Sequence, residues 1–346
     1  MNKRSPFRVT IVGGGPVGLY LTHAMEKAGI EYVLLERQST ILAISGPLLF
    51  TWPQTVRLFD QIEVARYVAD SALAMEKKKR VYGEDFSITS TNTFWDSMRD
   101  NHGYPFMPLL WSDLIKPLHL NLKNKDTCVK TNSEVVGLEM LDDGMGARLK
   151  DGSLVEVSVV IGADGVHSNI RNMMQSLATS NGTKESSNPM NSTFYEIFSR
   201  SSNIYLAIET KVFFESRGDR VVIQCLATED TLLFVTLKPL PERMTGRKRF
   251  SSADMEKYAV SIGEVFVCPV VKFKDVWAKV DKTTTRLLNQ EEGLMSYHYL
   301  GTCHSETSLD SMERSFARYQ KVREVEVKAI LNRGRAMIRD VTQKCW

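Results

Sequence analysis

Phe7-Arg8-Val9-Thr10-Ile11-Val12-Gly13-Gly14-Gly15-Pro16-Val17-Gly18 sets an apolar run directly against a turn made of glycine and proline. The run from Phe7 to Val12 predicts a strand. Leu19, Leu21, Ala24, Met25 and Ala28 then recur at helical spacing, so residues 17 to 28 predict a helix. A second apolar run, Tyr32 to Leu35, ends at Glu36. Strand, glycine turn, helix, strand and acid follow one another in the order that a dinucleotide-binding crossover requires.

Each residue type has a physical task. Gly13 permits the tight turn. Gly15 has no side chain, so a pyrophosphate can approach the backbone. Gly18 lets helix and strand pack closely. The helix N-terminus offers N–H groups without intrahelical acceptors and a partial positive charge. Glu36, at the tip of the second strand, can accept hydrogen bonds from an adenosine ribose. An acid there selects a free 2′-hydroxyl, hence FAD or NAD rather than NADP.

Working outward, the whole chain has 346 residues, 43% of them hydrophobic and 25% charged. That composition belongs to a globular protein with length enough for two domains. A net charge of +3 singles out no nucleic-acid or membrane partner. No apolar run reaches the length of a membrane span, and the first strand begins so near Met1 that no cleaved signal peptide is expected. Cys128, Cys225, Cys268, Cys303 and Cys345 are scattered without metal-ligand spacing, so reduced thiols in the cytoplasm are expected. Association with the surface of an internal membrane stays open. The histidines form no spaced cluster, which leaves no metal site, and His23 reads as a packing or surface residue.

Residues 53 to 70 predict one helix opened by Pro53, and Ser112 to Leu122 another. The basic run Lys77 to Arg80 reads as a solvated turn. Strands are predicted near 127–140 and 145–160, the second interrupted by Lys150-Asp151-Gly152-Ser153. Val157 to Ile161 then meets Gly162-Ala163-Asp164-Gly165-Val166-His167-Ser168-Asn169-Ile170-Arg171. Two glycines bracket Asp164. Its carboxylate reads either as a ligand-facing group at a strand end or as the cap of the helix that follows. Residues 176 to 192 are polar and aperiodic, a linker. Strand-like runs at 193–198, 204–214, 220–228 and 231–237 follow, the last two forming a hairpin about Glu229-Asp230, and this block reads as a β-rich second domain. The region 251–280 is mixed, and Met312 to Arg339 has a helical period.

Gly13-x-Gly15-x-x-Gly18 with Glu36, followed at the right distance by Gly162-Ala163-Asp164-Gly165-x-x-Ser168-x-x-Arg171, resembles the FAD-dependent monooxygenases of the para-hydroxybenzoate hydroxylase type. Looser matches point to the fungal branch that epoxidises or hydroxylates prenyl chains and polyenes in meroterpenoid, indole-diterpene and polyketide pathways. These are Trp52-Pro53-Gln54-Thr55-x-Arg57-Leu58-x-Asp60-Gln61, His102-Gly103-Tyr104-Pro105, Gln290-Glu291-Glu292-Gly293 and Phe316-x-x-Tyr319-Gln320-x-x-Arg323. The resemblance implies an α/β fold, with a Rossmann-like FAD-binding domain in residues 1–75, 105–175 and 276–346. A smaller β-rich substrate domain would take 76–104 and 176–275. It implies FAD as cofactor, NAD(P)H as a transient co-substrate, O2, and a small lipophilic substrate. No nucleic acid and no transmembrane segment are expected, and the oligomeric state is not read. Its cofactor-binding set is Gly13, Gly15, Gly18, Glu36, Arg37, Gly46, Asp164, Gly165 and Arg171; no catalytic side chain is named.

The chain departs from the family at two places. The third motif, Gly-Asp before a glycine-rich helix start, is not found between Gly293 and Phe316, where several dozen residues are missing, as a skipped exon or a misdrawn gene boundary would produce. Trp111 stands where the family has a cofactor-contacting arginine. Three readings follow. One is an oxygenase of fungal secondary metabolism. The second is a truncated, inactive member that at most binds a nucleotide or a partner. The third is an NAD-dependent dehydrogenase, against which the second motif argues.

Overall fold

The computed structural model describes residues 7–291, except 43–47, 83–86, 93, 143, 166, 181–190, 219, 246–247 and 284, together with residues 321 and 325. Gly46, the stretch from Gly293 to Phe316 and the remainder of the helical run from Met312 to Arg339 lie outside them.

The opening motif folds as read. β1 (Arg8–Val12) leads through the glycine turn into α1 (Pro16–Ala28), and β2 (Glu31–Leu35) returns parallel to β1. Pro16 occupies the first helical turn, where a missing N–H costs nothing. Gly29 ends the helix at φ 65°, a left-handed conformation that glycine reaches without strain. His23 is neither exposed nor idle: its Nε2 lies 2.7 Å from the Leu118 carbonyl in the core.

β3 (Leu48–Thr51) precedes α2 (Pro53–Gln61) and α3 (Ala65–Asp70). The single helix expected over 53–70 is two. Glu63 takes φ 62° between them, so Ile62 and Val64 both turn inward. β4 (Lys77–Tyr82), β5 (Ser87–Asn92) and α4 (Phe94–His102) follow. The basic run is thus a strand, not a solvated turn. Two of its charges are paired there: Lys78 reaches the buried Glu215 at 3.0 Å, and Lys79 meets Glu209. β6 (Met107–Leu110) pairs with β3 and runs into α5 (Trp111–Leu120). After α6 (Lys125–Cys128) and β7 (Val129–Lys130) come β8 (Val135–Leu141), β9 (Gly144–Leu149) and β10 (Leu154–Val157), an antiparallel meander. β11 (Val159–Gly162) then pairs parallel with β1, and α7 (Asn169–Ser180) extends into the expected linker.

The parallel sheet has the order β11-β1-β2-β7. β1 sits inside it, buried from Val9 to Val12 on both faces, as parallel strands covered by crossovers must be. Leu19, Leu34, Ile115 and Leu118 are at most 2% exposed in the core beside it. Each fully buried side chain of this kind contributes about 1.5–3 kcal/mol.

The second half is a larger sheet. β12 (Asn191–Ser202), β13 (Val212–Gly218), β14 (Val221–Ala227) and β15 (Thr231–Thr245) join β4 and β5. The strand expected over 204–214 starts only at Val212. Asn203 ties the preceding segment into a turn, its side chain bonding Ile208 and Thr228 backbone groups at 2.9–3.0 Å. The β14–β15 hairpin forms about Glu229-Asp230 as read. α8 (Ser252–Ser261), β16 (Phe266–Cys268), β17 (Val271–Lys272) and α9 (Phe273–Trp277) pack on one face, opened by a Ser251–Asp254 capping box. β18 (Arg286–Glu291) closes the sheet at its edge, in the order β18-β12-β15-β14-β13-β4-β5. Residues 276–291, assigned above to the FAD domain, pack with this sheet. Val276, Trp277, Val280 and Leu287 share one apolar cluster with Ile197, Phe234 and Phe273.

Candidate functional site

Three parallel strand ends converge on the glycine turn. Gly13 N–H donates to the Leu35 carbonyl at 2.8 Å, Ala163 N–H to the Val12 carbonyl at 2.8 Å, and Glu36 N–H to the Lys130 carbonyl at 2.8 Å. β1 has β2 on one side and β11 on the other. The α1 crossover leaves β1 toward β2, and the chain reaches the other side of β1 only at β11, so the strand order reverses here and a crevice opens beyond the carboxyl ends of the strands.

The glycines divide this work. A Cβ on Gly18 would stand 1.8 Å from the Gly13 carbonyl oxygen, so α1 packs on the turn only because it is absent. A Cβ on Gly13, whose φ is +112°, would stand 2.5 Å from the Ala163 carbonyl oxygen. That contact joins the two sequence motifs in space. Gly15 is different: a Cβ there would meet nothing within 4 Å. Gly15 caps α1, whose first turn carries no acidic side chain. The space beside it is bounded by a positive helix end, a setting for a phosphate.

Glu36 lies across the turn. One carboxylate oxygen accepts from Gly14 N–H at 2.7 Å and the other from Gln38 N–H at 2.8 Å. Each oxygen keeps lone-pair capacity for a further donor such as a ribose hydroxyl. Arg37 follows it in the exposed turn and adds a cation near Glu134. The residues present thus fit the adenosine and pyrophosphate half of FAD: an open cradle at Gly15, a helix N-terminus and a correctly placed acid.

Asp164 takes the capping reading at α7. Its Oδ1 accepts from the Ser168 hydroxyl at 2.5 Å, and its Oδ2 from Asn169 and Ile170 N–H at 2.7 and 3.1 Å. The Ser168 hydroxyl in turn accepts from Arg171 N–H at 2.9 Å. Sequence reasoning placed Ser168 in the motif but gave a role only to Asp164 and Arg171; the hydroxyl between them joins the two. Gly165, exposed at φ +85°, has open space where its Cβ would be.

Two looser motifs also meet. Trp52, Pro53 and Gln54 line a cavity of about 310 Å³ with Met98, Asn101 and His102. Tyr104 donates to Asp60 at 3.0 Å and lies under Arg57. Trp111 heads α5 and packs against the first core. Among the described residues no group of His, Cys, Asp and Glu could hold a metal, and no helix is long and apolar enough to cross a membrane. Cys128, Cys225 and Cys268 are free thiols.

Comparison with known proteins bears directly on this crevice. Residues 7–255 match the model of a family described as an FAD binding domain. The FAD-dependent monooxygenase srdH of Neurospora crassa is 47% identical over 391 aligned positions, covering 98% of this chain and 87% of that one. The chain belongs to the FAD-dependent monooxygenases. A second member, dpfgE of Gibberella zeae, is 28% identical and aligns with 79% of the chain, which spans only 60% of its length. The fold is shared with Klebsiella pneumoniae HpxO, solved with FAD and uric acid: TM-score 0.65, 16% identity, 84% of this chain and 69% of that one. FAD is the cofactor of this monooxygenase family and NAD(P)H its usual reductant. Because 391 aligned positions exceed the 346 residues of the chain, at least 45 positions of the srdH alignment have no residue here.

Proposed function

We propose that this chain uses NAD(P)H and O2 to epoxidise or hydroxylate a lipophilic prenylated or polyene intermediate in fungal secondary-metabolite biosynthesis. The observation that carries this reading is the contact of Gly13 with Ala163, which makes one crevice of the two motifs. The extended similarity to srdH supports it. Bound FAD supplies the redox chemistry and the activation of oxygen. In this reading Glu36 accepts from the adenosine ribose, and the first turn of α1, at Gly15, takes the pyrophosphate while Gly18 keeps the helix close against the turn. Gly13 holds that turn against the second motif. Arg37 flanks the adenosine side; Gly46, outside the described residues, stays a cofactor-binding expectation of the resemblance. Gly165 leaves room for the ligand, and Asp164 and Arg171 keep α7 and its loop in register. Residues 7–75 and 105–175 form the cofactor domain; 76–104 and 176–291 form the β-rich domain that covers the substrate. The unmatched positions of the srdH alignment fit a shortened chain; this reading puts the shortening after Glu291, where the third motif belongs.

The test begins with purified full chain and FAD. The expected result is a yellow, stoichiometric complex. NAD(P)H oxidation should then accelerate when a prenylated or polyene compound is added, with one atom of labelled O2 in the product. A colourless protein that cannot be reconstituted removes the reading. Tight FAD binding without substrate-dependent oxidation would leave an inactive nucleotide-binding member.

A further inference from the structure

Side chains alternate along β12. Ile197 is fully buried toward α8 and α9, and Tyr195 meets Phe250 and Tyr258 on that side. Phe194, Glu196 and Phe198 therefore point from the opposite face of the sheet. The register sets Glu196 opposite Leu237 of β15 and Leu288 of β18, and directly opposed residues share a face. Phe198 stands beside Val235 one row along. Leu237, Leu288, Phe194 and Phe198 thus flank the carboxyl group, and Arg286 and Gln290 take the diagonal positions on β18. This face is also less sealed than the other: Leu288 is 39% exposed, whereas Ile197 and Phe234 are at 0%. Following the register across the sheet, the same face reaches Phe213, whose ring meets Phe50 of β3 edge-on at 5.3 Å. The patch is continuous with the side on which the nucleotide-binding half packs.

Glu196 is half-buried, so water satisfies its carboxyl in the free chain; a ligand lying across this face removes that water, which costs free energy unless the ligand offers a partner. Among the described residues no hydrogen bond or ion pair reaches Glu196. Arg286, diagonal to it on β18, donates to the Thr283 and Thr285 carbonyls at 2.8 and 2.7 Å. Arg217, in the same row on β13, pairs with Glu215 at 2.9 Å. Across the sheet, the Tyr258 hydroxyl is engaged with Thr236 at 2.9 Å, and Lys238 reaches Ser261 at 3.0 Å. Burial is left as the acting influence, and it pushes the Glu196 carboxyl up to about 7. A neutral carboxyl group is a hydrogen-bond donor, which a carboxylate is not.

We propose that Glu196 is the polar anchor of a lipophilic-ligand site on this face, its O–H donating to a carbonyl-type oxygen of an otherwise hydrocarbon molecule lying across β18, β12 and β15. A hydrocarbon without that oxygen leaves the carboxyl unsatisfied, so Glu196 selects between the two. That this molecule is the substrate rests on the oxygenase reading; the binding itself does not.

The test is equilibrium dialysis of the FAD-loaded full chain with two probes, the isoprenoid ketone geranylacetone and the hydrocarbon farnesene. It is run at about pH 5.5 and about pH 8.5, on either side of the titration. At the lower pH wild type should prefer the ketone over the hydrocarbon by about tenfold more than Glu196→Leu does, the effect of one buried hydrogen bond, and the cost of covering an ionised carboxylate should weaken both probes at the higher pH. Glu196→Leu should bind the ketone without pH dependence. Glu196→Gln, which keeps an N–H donor, should bind it at both pH values. Equal ketone preference in wild type and Glu196→Leu overturns the proposal, as does a wild type that ignores the ketone. Flavin absorbance of each variant reports folding separately. A chain that holds FAD and ignores the ketone loses this site and keeps the oxygenase reading; a chain that cannot hold FAD loses that reading whatever the ketone does.

Discussion

Gly15 and Gly18 look alike in the sequence and differ in what a methyl group would meet. At Gly15 the backbone φ is −74°, ordinary for alanine, and the space is open. Gly15→Ala should therefore leave stability within about 0.5 kcal/mol of wild type. FAD affinity should fall at least about tenfold, because the added carbon occupies the phosphate's approach. Gly18→Ala drives its Cβ against the Gly13 carbonyl, which is backbone and cannot rotate away. It should destabilise by about 1–3 kcal/mol or more and lose FAD as a consequence. Urea unfolding without ligand and FAD titration separate the two. Equal destabilisation by both substitutions would refute the open cradle. The spacing already assigned Gly15 to the ligand and Gly18 to packing; the surrounding atoms add open space at the first and a backbone carbonyl at the second.

At the scale of elements, α7 carries the second motif, and Asp164 is the group that starts it. Its two oxygens take three donors from the loop and first turn. Ser168 is the N-cap by position, its hydroxyl accepting from Arg171 N–H, and Asp164 accepts from the two N–H groups before Arg171. Asp164→Ala should cost about 1–2 kcal/mol, the range for loss of a capping acceptor. Asp164→Asn keeps an acceptor for the helix N–H groups and should stay within about 0.5 kcal/mol of wild type. If capping is the whole role, Asp164→Asn also binds FAD like wild type. Loss of FAD from a stable Asp164→Asn would show that the carboxylate itself touches the cofactor. Circular dichroism melts and FAD titration decide this. The sequence held both readings open, since an acid between two glycines serves either purpose. β4 teaches the converse. Lys77 to Arg80 reads as solvent-facing until Glu215 is seen beside it, contributed from far along the chain. Burial alone would raise the Glu215 carboxyl, but Lys78 and Arg217 outweigh it and hold it below its ordinary value.

For the molecule as a whole, two apolar cores meet through a few aromatic rings. Phe50 lies against Phe106 at 5.4 Å and Phe213 at 5.3 Å, and Trp52 meets Phe106 at 5.3 Å. Phe213 is 4% exposed, so Phe213→Ala should cost about 3 kcal/mol. It should also loosen the coupling between the two halves. FAD at a hundredfold its dissociation constant should stabilise the folded chain by about 2.7 kcal/mol. In wild type that shift should move one cooperative calorimetric transition. In Phe213→Ala it should move only the transition of the nucleotide-binding half. An unsplit transition that FAD shifts as in wild type would show that the rings are not the joint.

The nucleotide crossover, the second motif, the hairpin about Glu229-Asp230 and the α/β class were legible along the chain because they depend on neighbours in sequence. Glycine geometry, helix period and strand alternation are local properties, and local spacing records them. The contact of Gly13 with Ala163, the break at Glu63, the pairing of Lys78 with Glu215 and the isolation of Glu196 were not legible. Each depends on which distant residue a side chain faces, and a linear pattern carries no record of an environment assembled by folding.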